Sequence, residues 1–238
     1  MQVWPAIDLR GGKCVRLRQG DYQQETVFHE NPSAMARQFV AEGAKYLHIV
    51  DLEGAREGLP VNLPSVQDIL AAIDIECELG GGIRDEQSIE EWLGFGLRRL
   101  VIGTSALAEP EWFRETCRKF PGQLVLGIDA RGGRVATDGW LNTSDVTAID
   151  LAKQFCNEPL AAIIYTDIAT DGMMAGPNLR AMAEMQAAVN LPVIASGGVT
   201  TADDVAELAD AGLAGCIIGR ALYEGSLTMA NALRAAEG

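Results

Sequence analysis

The chain has little of what metal, redox and nucleic-acid proteins need. Its histidines number two, and its five cysteines (Cys14, Cys77, Cys117, Cys156 and Cys216) are scattered, with no CxxC pair and no Cys/His cluster. That excludes a zinc site and a disulfide framework, so no metal is expected, and the cysteines read as small hydrophobic fillers in a reducing cytoplasm. Only Cys14 lies close to a candidate site loop. No stretch approaches the roughly 18 unbroken apolar residues of a membrane span. The start, MQVWPAIDLR, lacks the basic and apolar regions of a secretion signal. Basic residues are outnumbered, 19 Lys and Arg against 33 Asp and Glu, for a net charge of −14. Such a chain is expected to bind neither nucleic acid nor an anionic membrane. An anionic ligand would have to be held locally, by helix N-termini and a few arginines. There is no nucleophile elbow, Walker loop or dinucleotide fingerprint. Lys45 and Lys153 fall on solvated helical stretches, which leaves no lysine placed for Schiff-base chemistry.

What the chain does have, it has twice. IDLRGG at 7–12 returns as IDARGG at 128–133, five matches in six at an offset of 121. The stretch 79–107 realigns with 195–223 at an offset of 116, and HIVDLEGA (48–55) faces IYTDIATD (164–171) at that same offset. Short apolar runs near 2–8, 46–51, 75–79, 99–103, 123–129, 161–166, 192–196 and 215–219 predict eight strands. Helical patterns lie between them, several ending at glycine, as at Gly43, Gly96 and Gly212. Eight βα units in this length favour a closed (β/α)8 TIM barrel over an open sheet, and the repeat favours two half-barrels closing about a pseudo-twofold axis. No linker divides the chain, so residues 1–238 are read as a single domain with halves of approximately 1–120 and 121–238.

In such a barrel the site forms at the C-terminal ends of the strands. Asp8 ends the first predicted strand and Asp129 the fifth, so two carboxylates are expected to face each other across the mouth, an arrangement suited to acid–base work. Turn capping alone would explain one such aspartate; two at matched strand ends argue for chemistry. Glycine turns follow four strands: Gly80–Gly82, Gly103 before Thr104, Gly197–Gly198, and Gly219 before Arg220. Each is weak alone. Together, at matched offsets, they predict two phosphate cradles and hence a small-molecule bisphosphate substrate. His48 reads as a packed strand residue rather than a catalytic one, and His29 as a surface one.

With those residues laid out, the chain closely resembles the isomerases of histidine biosynthesis (the ProFAR isomerase family). These convert phosphoribosylformimino-5-aminoimidazole carboxamide ribotide to its phosphoribulosyl form. The resemblance spans essentially the whole chain and rests on PAIDLRGGKCVRLRQGDYQQET (5–26), GGGIR (80–84), VIGTSAL (101–107), GIDARGG (127–133), TDGW (137–140), IIYTDIATDGMMAGPN (163–178), VIASGGV (193–199) and IIGRALYEG (217–225). It implies an aldose–ketose isomerase working by an Amadori rearrangement, with no cofactor. Asp8 would be the base at sugar C2 and Asp129 the acid that opens the ring. Thr166 would stand near the reacting centre. Gly81, Gly82, Gly103, Thr104, Asp171, Gly172, Gly197, Gly198, Gly219 and Arg220 would contact substrate, and Arg18 would clamp a phosphate from the loop after the first strand. Glu78 stands where relatives often carry a neutral residue, and the alternation of its neighbours would turn it away from the mouth. Met173–Met174 replaces a more polar pair.

Three other readings stay open on sequence alone. One is an isomerase that also accepts phosphoribosylanthranilate. Another is the cyclase of imidazole glycerol phosphate synthase, although the first loop and YTDIATDG have the isomerase form. The third is an inactive phosphate-ligand binding protein. A monomer is expected.

Overall fold

The computed structural model describes all residues, Met1–Gly238. Twelve strands form: β1 (Gln2–Arg10), β2 (Lys13–Arg18), β3 (Asp21–His29), β4 (Tyr46–Asp51), β5 (Glu76–Gly80), β6 (Arg99–Ile102), β7 (Leu124–Arg131), β8 (Arg134–Thr137), β9 (Asn142–Thr147), β10 (Ala162–Asp167), β11 (Val193–Ser196) and β12 (Gly215–Ile218). Eight of them, β1, β4, β5, β6, β7, β10, β11 and β12, pair in parallel around a ring that β12 closes onto β1 through Trp4↔Ile217. Helices connect them, so the architecture is the closed (β/α)8 barrel expected from the alternation of apolar runs. The other four strands were not anticipated. They make two antiparallel hairpins, β2–β3 on β1 and β8–β9 on β7, rising from the strand ends where only loops were expected.

The two-residue period of each strand sorts its side chains. Val3, Ile7 and Leu9 of β1 pack outward in one large core with helix residues such as Phe39, Trp92 and Phe113. Trp4 and Ala6 point the other way and join Val125, Ala162, Ile164, Ile194 and Ile217 inside the barrel. Beneath the mouth the interior turns polar, because His48, Glu78 and Arg99 share that inward parity across β4, β5 and β6. Several helices begin at side-chain caps: Asn31 accepts from Ala34 N, Asp85 from Ser88 N, and Thr201 forms a capping box with Asp204. All five cysteines are free and four are buried. Burial pushes the thiols of Cys14, Cys77, Cys117 and Cys216 up to about 12.

Two buried aspartates tie strand ends to the loops that follow. Asp51, with no solvent exposure, accepts from Gly54 N at 2.8 Å, Val61 N at 2.8 Å, Asn62 N at 2.9 Å and Asn62 Nδ2 at 2.8 Å. Its counterpart at the 116 offset, Asp167, accepts from Ala169 N at 2.9 Å and Asn178 Nδ2 at 2.6 Å. Asp51→Ala would strand several donors in a dry site. We expect it to cost about 3 kcal/mol, read as a lower urea midpoint with an unchanged slope; a loss under about 1 kcal/mol would mean that water replaces the carboxylate.

Candidate active site

The C-terminal ends of the barrel strands open into a cavity of about 250 Å³. Asp8 (β1), Asp129 (β7) and Thr166 (β10) line it, as do Gly81, Gly82, Gly103, Thr104, Asp171, Gly172, Gly197, Gly198, Gly219 and Arg220. The structure therefore brings together every site residue expected from the sequence except one. Arg18 is exposed and lies off the cavity wall. The register of β2 against β3 shifts between Leu17 and Arg18, and that irregularity breaks the alternation that would have turned Arg18 inward beside Arg16.

Arg16 is the arginine in the mouth. Its Nη1 lies 2.6 Å from Asp8 Oδ2, and Nη2 donates to the Ala6 carbonyl. The guanidinium sits over the Tyr223 ring at 5.1 Å and packs flat against Gly219, where an added Cβ would come within 2.8 Å of it. Its Nε has no protein partner. Facing this ion pair is Asp171, on the loop after β10. Burial first, then the nearby Asp8 and Asp129, push its carboxyl up to about 7 against the opposing pull of Arg16. Asp129 is also raised above the usual carboxylate range, chiefly by burial, while the Trp140 and Thr166 side chains and His48 act in the opposite sense. Both carboxyls touch the cavity, yet protein surrounds them on the remaining sides.

The glycine turns flank this centre in two sets. Gly81 and Gly197 have φ of +109° and +94°. Each also lies against a carbonyl, that of Asp51 and that of Asp167 respectively, so a side chain at either position is excluded twice over. Gly103 and Gly219 open the short helices Thr104–Ala108 and Arg220–Glu224, and neither helix start is capped by a side chain. Their first N–H groups remain available to a ligand. Arg84 projects from beside the first set and Arg220 from beside the second; Arg220 Nη1 also donates to Gly172 O at 2.9 Å.

Loops far apart in the chain meet above the cavity. Gln19 Nε2 donates to Ala169 O at 3.0 Å, Tyr22 Oη donates to Leu52 O at 2.7 Å, and Trp140 packs on Gly20. Four non-glycine residues hold left-handed φ, namely Gln19, Asp138, Trp140 and Met174, and all four lie in these loops. Strained backbone concentrated at one rim marks a site whose loops are held in a set form.

Arg16, Trp140 and Arg84 also line the cavity and were not singled out in the sequence. His48 was expected to be packed; it is buried, but on the inner face of β4 rather than toward a helix. Its parity in YLHIVD, opposite the outward Leu47 and Ile49, was the available signal. Glu78, expected to turn away, points inward as well. It has no exposure, and its two oxygens bind His48 Nδ1 at 2.7 Å and Arg99 Nε at 2.5 Å.

The sequence model of the histidine biosynthesis protein family matches residues 2–228. The chain belongs to that family. Among its relatives, a protein of Paracoccus denitrificans is 53% identical over 236 residues, covering 99% of each chain. One of Rhodopirellula baltica is 52% identical over 239 residues, covering 99% of this chain and 94% of its own. Each is named 1-(5-phosphoribosyl)-5-((5-phosphoribosylamino)methylideneamino) imidazole-4-carboxamide isomerase. A Ruegeria pomeroyi protein of that name, numbered 1, is 52% identical across the full length of both chains. No helix of this member of the family is long and apolar enough to cross a membrane.

The raised Asp171 carboxyl makes stability depend on pH. Its folded value of about 7 exceeds the ordinary 3.8, so its contribution favours folding at low pH and is lost as pH rises through about 7. Asp171→Asn removes that titration. In urea unfolding, the variant's stability relative to the native protein should therefore rise between the two values and level off above them. A difference that does not vary with pH would show the carboxyl to be ordinary.

Proposed function

We propose that this protein is the isomerase that its relatives are named for, a bisphosphate aldose–ketose isomerase with Asp129 as acid and Asp8 as base. The observation that carries the roles is the contrast between two carboxyls in one cavity. Asp129 is driven toward its protonated form by burial, which suits a proton donor. Asp8 is held in an ion pair with Arg16, which suits a carboxylate that accepts a proton once the pair gives way.

On this reading Asp129 protonates the furanose ring oxygen of the ribotide, and the C1–O bond breaks to leave a protonated Schiff base. The positive nitrogen acidifies C2. Asp8 removes the C2 proton to give an enolamine, which gains a proton at C1 and loses one from the C2 hydroxyl to become the aminoketose. Only protons move, so the reaction has no net redox change. Thr166 is the register partner of Asp129, which supports its expected role beside the reacting centre. The two glycine sets, with Arg84 and Arg220, support a phosphate at each end of the substrate, and Arg16 supports the clamping role expected of Arg18. In a chain of net charge −14, local N–H groups and these arginines supply the attraction.

The test is steady-state turnover of the formimino ribotide and, in parallel, of phosphoribosylanthranilate. We expect activity on the first, and a loss of kcat of about 10³-fold or more in both Asp8→Asn and Asp129→Val. Near-native turnover in either variant would overturn that residue's role, and absence of turnover in the folded native protein would overturn the function. Activity on both substrates would widen the specificity without changing the roles.

A further inference from the structure

A chain of buried polar groups runs from the barrel interior up to the cavity and takes no part in the steps above. At its base the Arg99 guanidinium stacks on the Trp4 ring at 4.2 Å. Arg99 Nε donates to Glu78 Oε2 at 2.5 Å, and Glu78 Oε1 lies 2.7 Å from His48 Nδ1. Glu78 has no exposure, whereas His48 keeps 8% and shares the cavity wall with Asp8, Asp129 and Asp171. His48 Nε2 bonds to no protein atom and is not fully buried, so it opens onto the cavity that His48 lines.

Donor chemistry sets the direction of this chain. A guanidinium can only donate, and a carboxylate can only accept. One cation balances one carboxylate, and the second Glu78 oxygen accepts a hydrogen bond from Nδ1–H. A ring that donates from Nδ1 leaves a lone pair on Nε2. We propose that Glu78 is a positioning residue: it fixes the orientation and tautomer of His48, so that Nε2 offers an acceptor to a sugar hydroxyl of the substrate held between Asp8 and Asp129. This rests on the isomerase reading, in which the C2 hydroxyl must give up its proton as the ketone forms. Glu78 itself touches neither substrate nor reacting atoms.

Glu78→Gln tests the assignment with little change of shape. Arg99 still needs an acceptor and takes the amide oxygen, which turns the amide NH2 toward His48. Nδ1 must then accept, and the ring proton moves to Nε2. The chain has only two histidines, so ¹⁵N-imidazole spectra contain two sets of ring signals, and His29→Gln assigns them. In mildly alkaline solution the native protein should show His48 protonated at Nδ1, and Glu78→Gln should show it protonated at Nε2. Alongside that reversal, kcat on the ribotide should fall by about 10-fold or more with KM within about 3-fold. If Glu78→Gln does not fold, Glu78→Asp keeps a charge opposite Arg99 but draws it away from the ring, and mixed tautomers with the same loss of kcat are expected. An unchanged tautomer, or a changed one with unchanged kcat, would overturn the proposal. Absence of turnover in the native protein would instead overturn the isomerase reading, while the spectra would still decide whether Glu78 sets the ring.

Discussion

Closure of a parallel sheet on itself is the constraint from which the rest follows. Once β12 pairs with β1, every strand has one face toward helices and one toward a narrow interior, and the two-residue period divides each strand between them. Apolar residues fill the outer face almost without exception. The inner face is apolar on one side of the barrel and polar elsewhere: His48 and Glu78 lie beneath the mouth and Asp8, Asp129 and Thr166 at it, contributed by five strands. Residues separated by more than a hundred positions become neighbours through parity and register alone.

That rule also explains how much was legible in advance. Eight apolar runs with helical patterns between them lead to the barrel, and Asp8 and Asp129 at matched strand ends lead to the site. The hairpins were hidden because β3 is exposed over most of its length, so DYQQETVFH carries no inward apolar face to announce a strand. Arg18 was expected at the mouth, and the register shift that keeps it off the cavity wall cannot be seen in residue types. Trp140 holds φ of +70°, a conformation that no pattern assigns to tryptophan. Glu78 was expected to turn away from the mouth; its partners lie on two other strands, and only the register brings them to it.

Electrostatics in this molecule is a matter of placement rather than total. The surface is strongly acidic, yet the cavity gathers Arg16, Arg84 and Arg220 with two sets of open N–H groups. Arginine suits these places because it stays charged and presents a flat fork, which Arg16 uses on Asp8, the Ala6 carbonyl and the Tyr223 ring together. The acidic exterior limits unspecific capture of polyanions, and the local cations keep a small anionic ligand within reach.

The buried thiols have a use outside catalysis. Four cysteines lie in the core with their ionisation pushed up to about 12, while Cys156 is only half-buried. A thiol reagent needs the thiolate and a path to it. In the closed barrel it finds neither at those four positions, which sit on or beside strands and helices in separate parts of the ring: Cys14 on β2, Cys77 on β5, Cys117 on the helix Pro110–Lys119 and Cys216 on β12. Their labelling rates therefore form a built-in record of where the barrel opens and how often. Equal rates would mark a ring that breaks as one unit, and unequal rates would identify the seam that parts first.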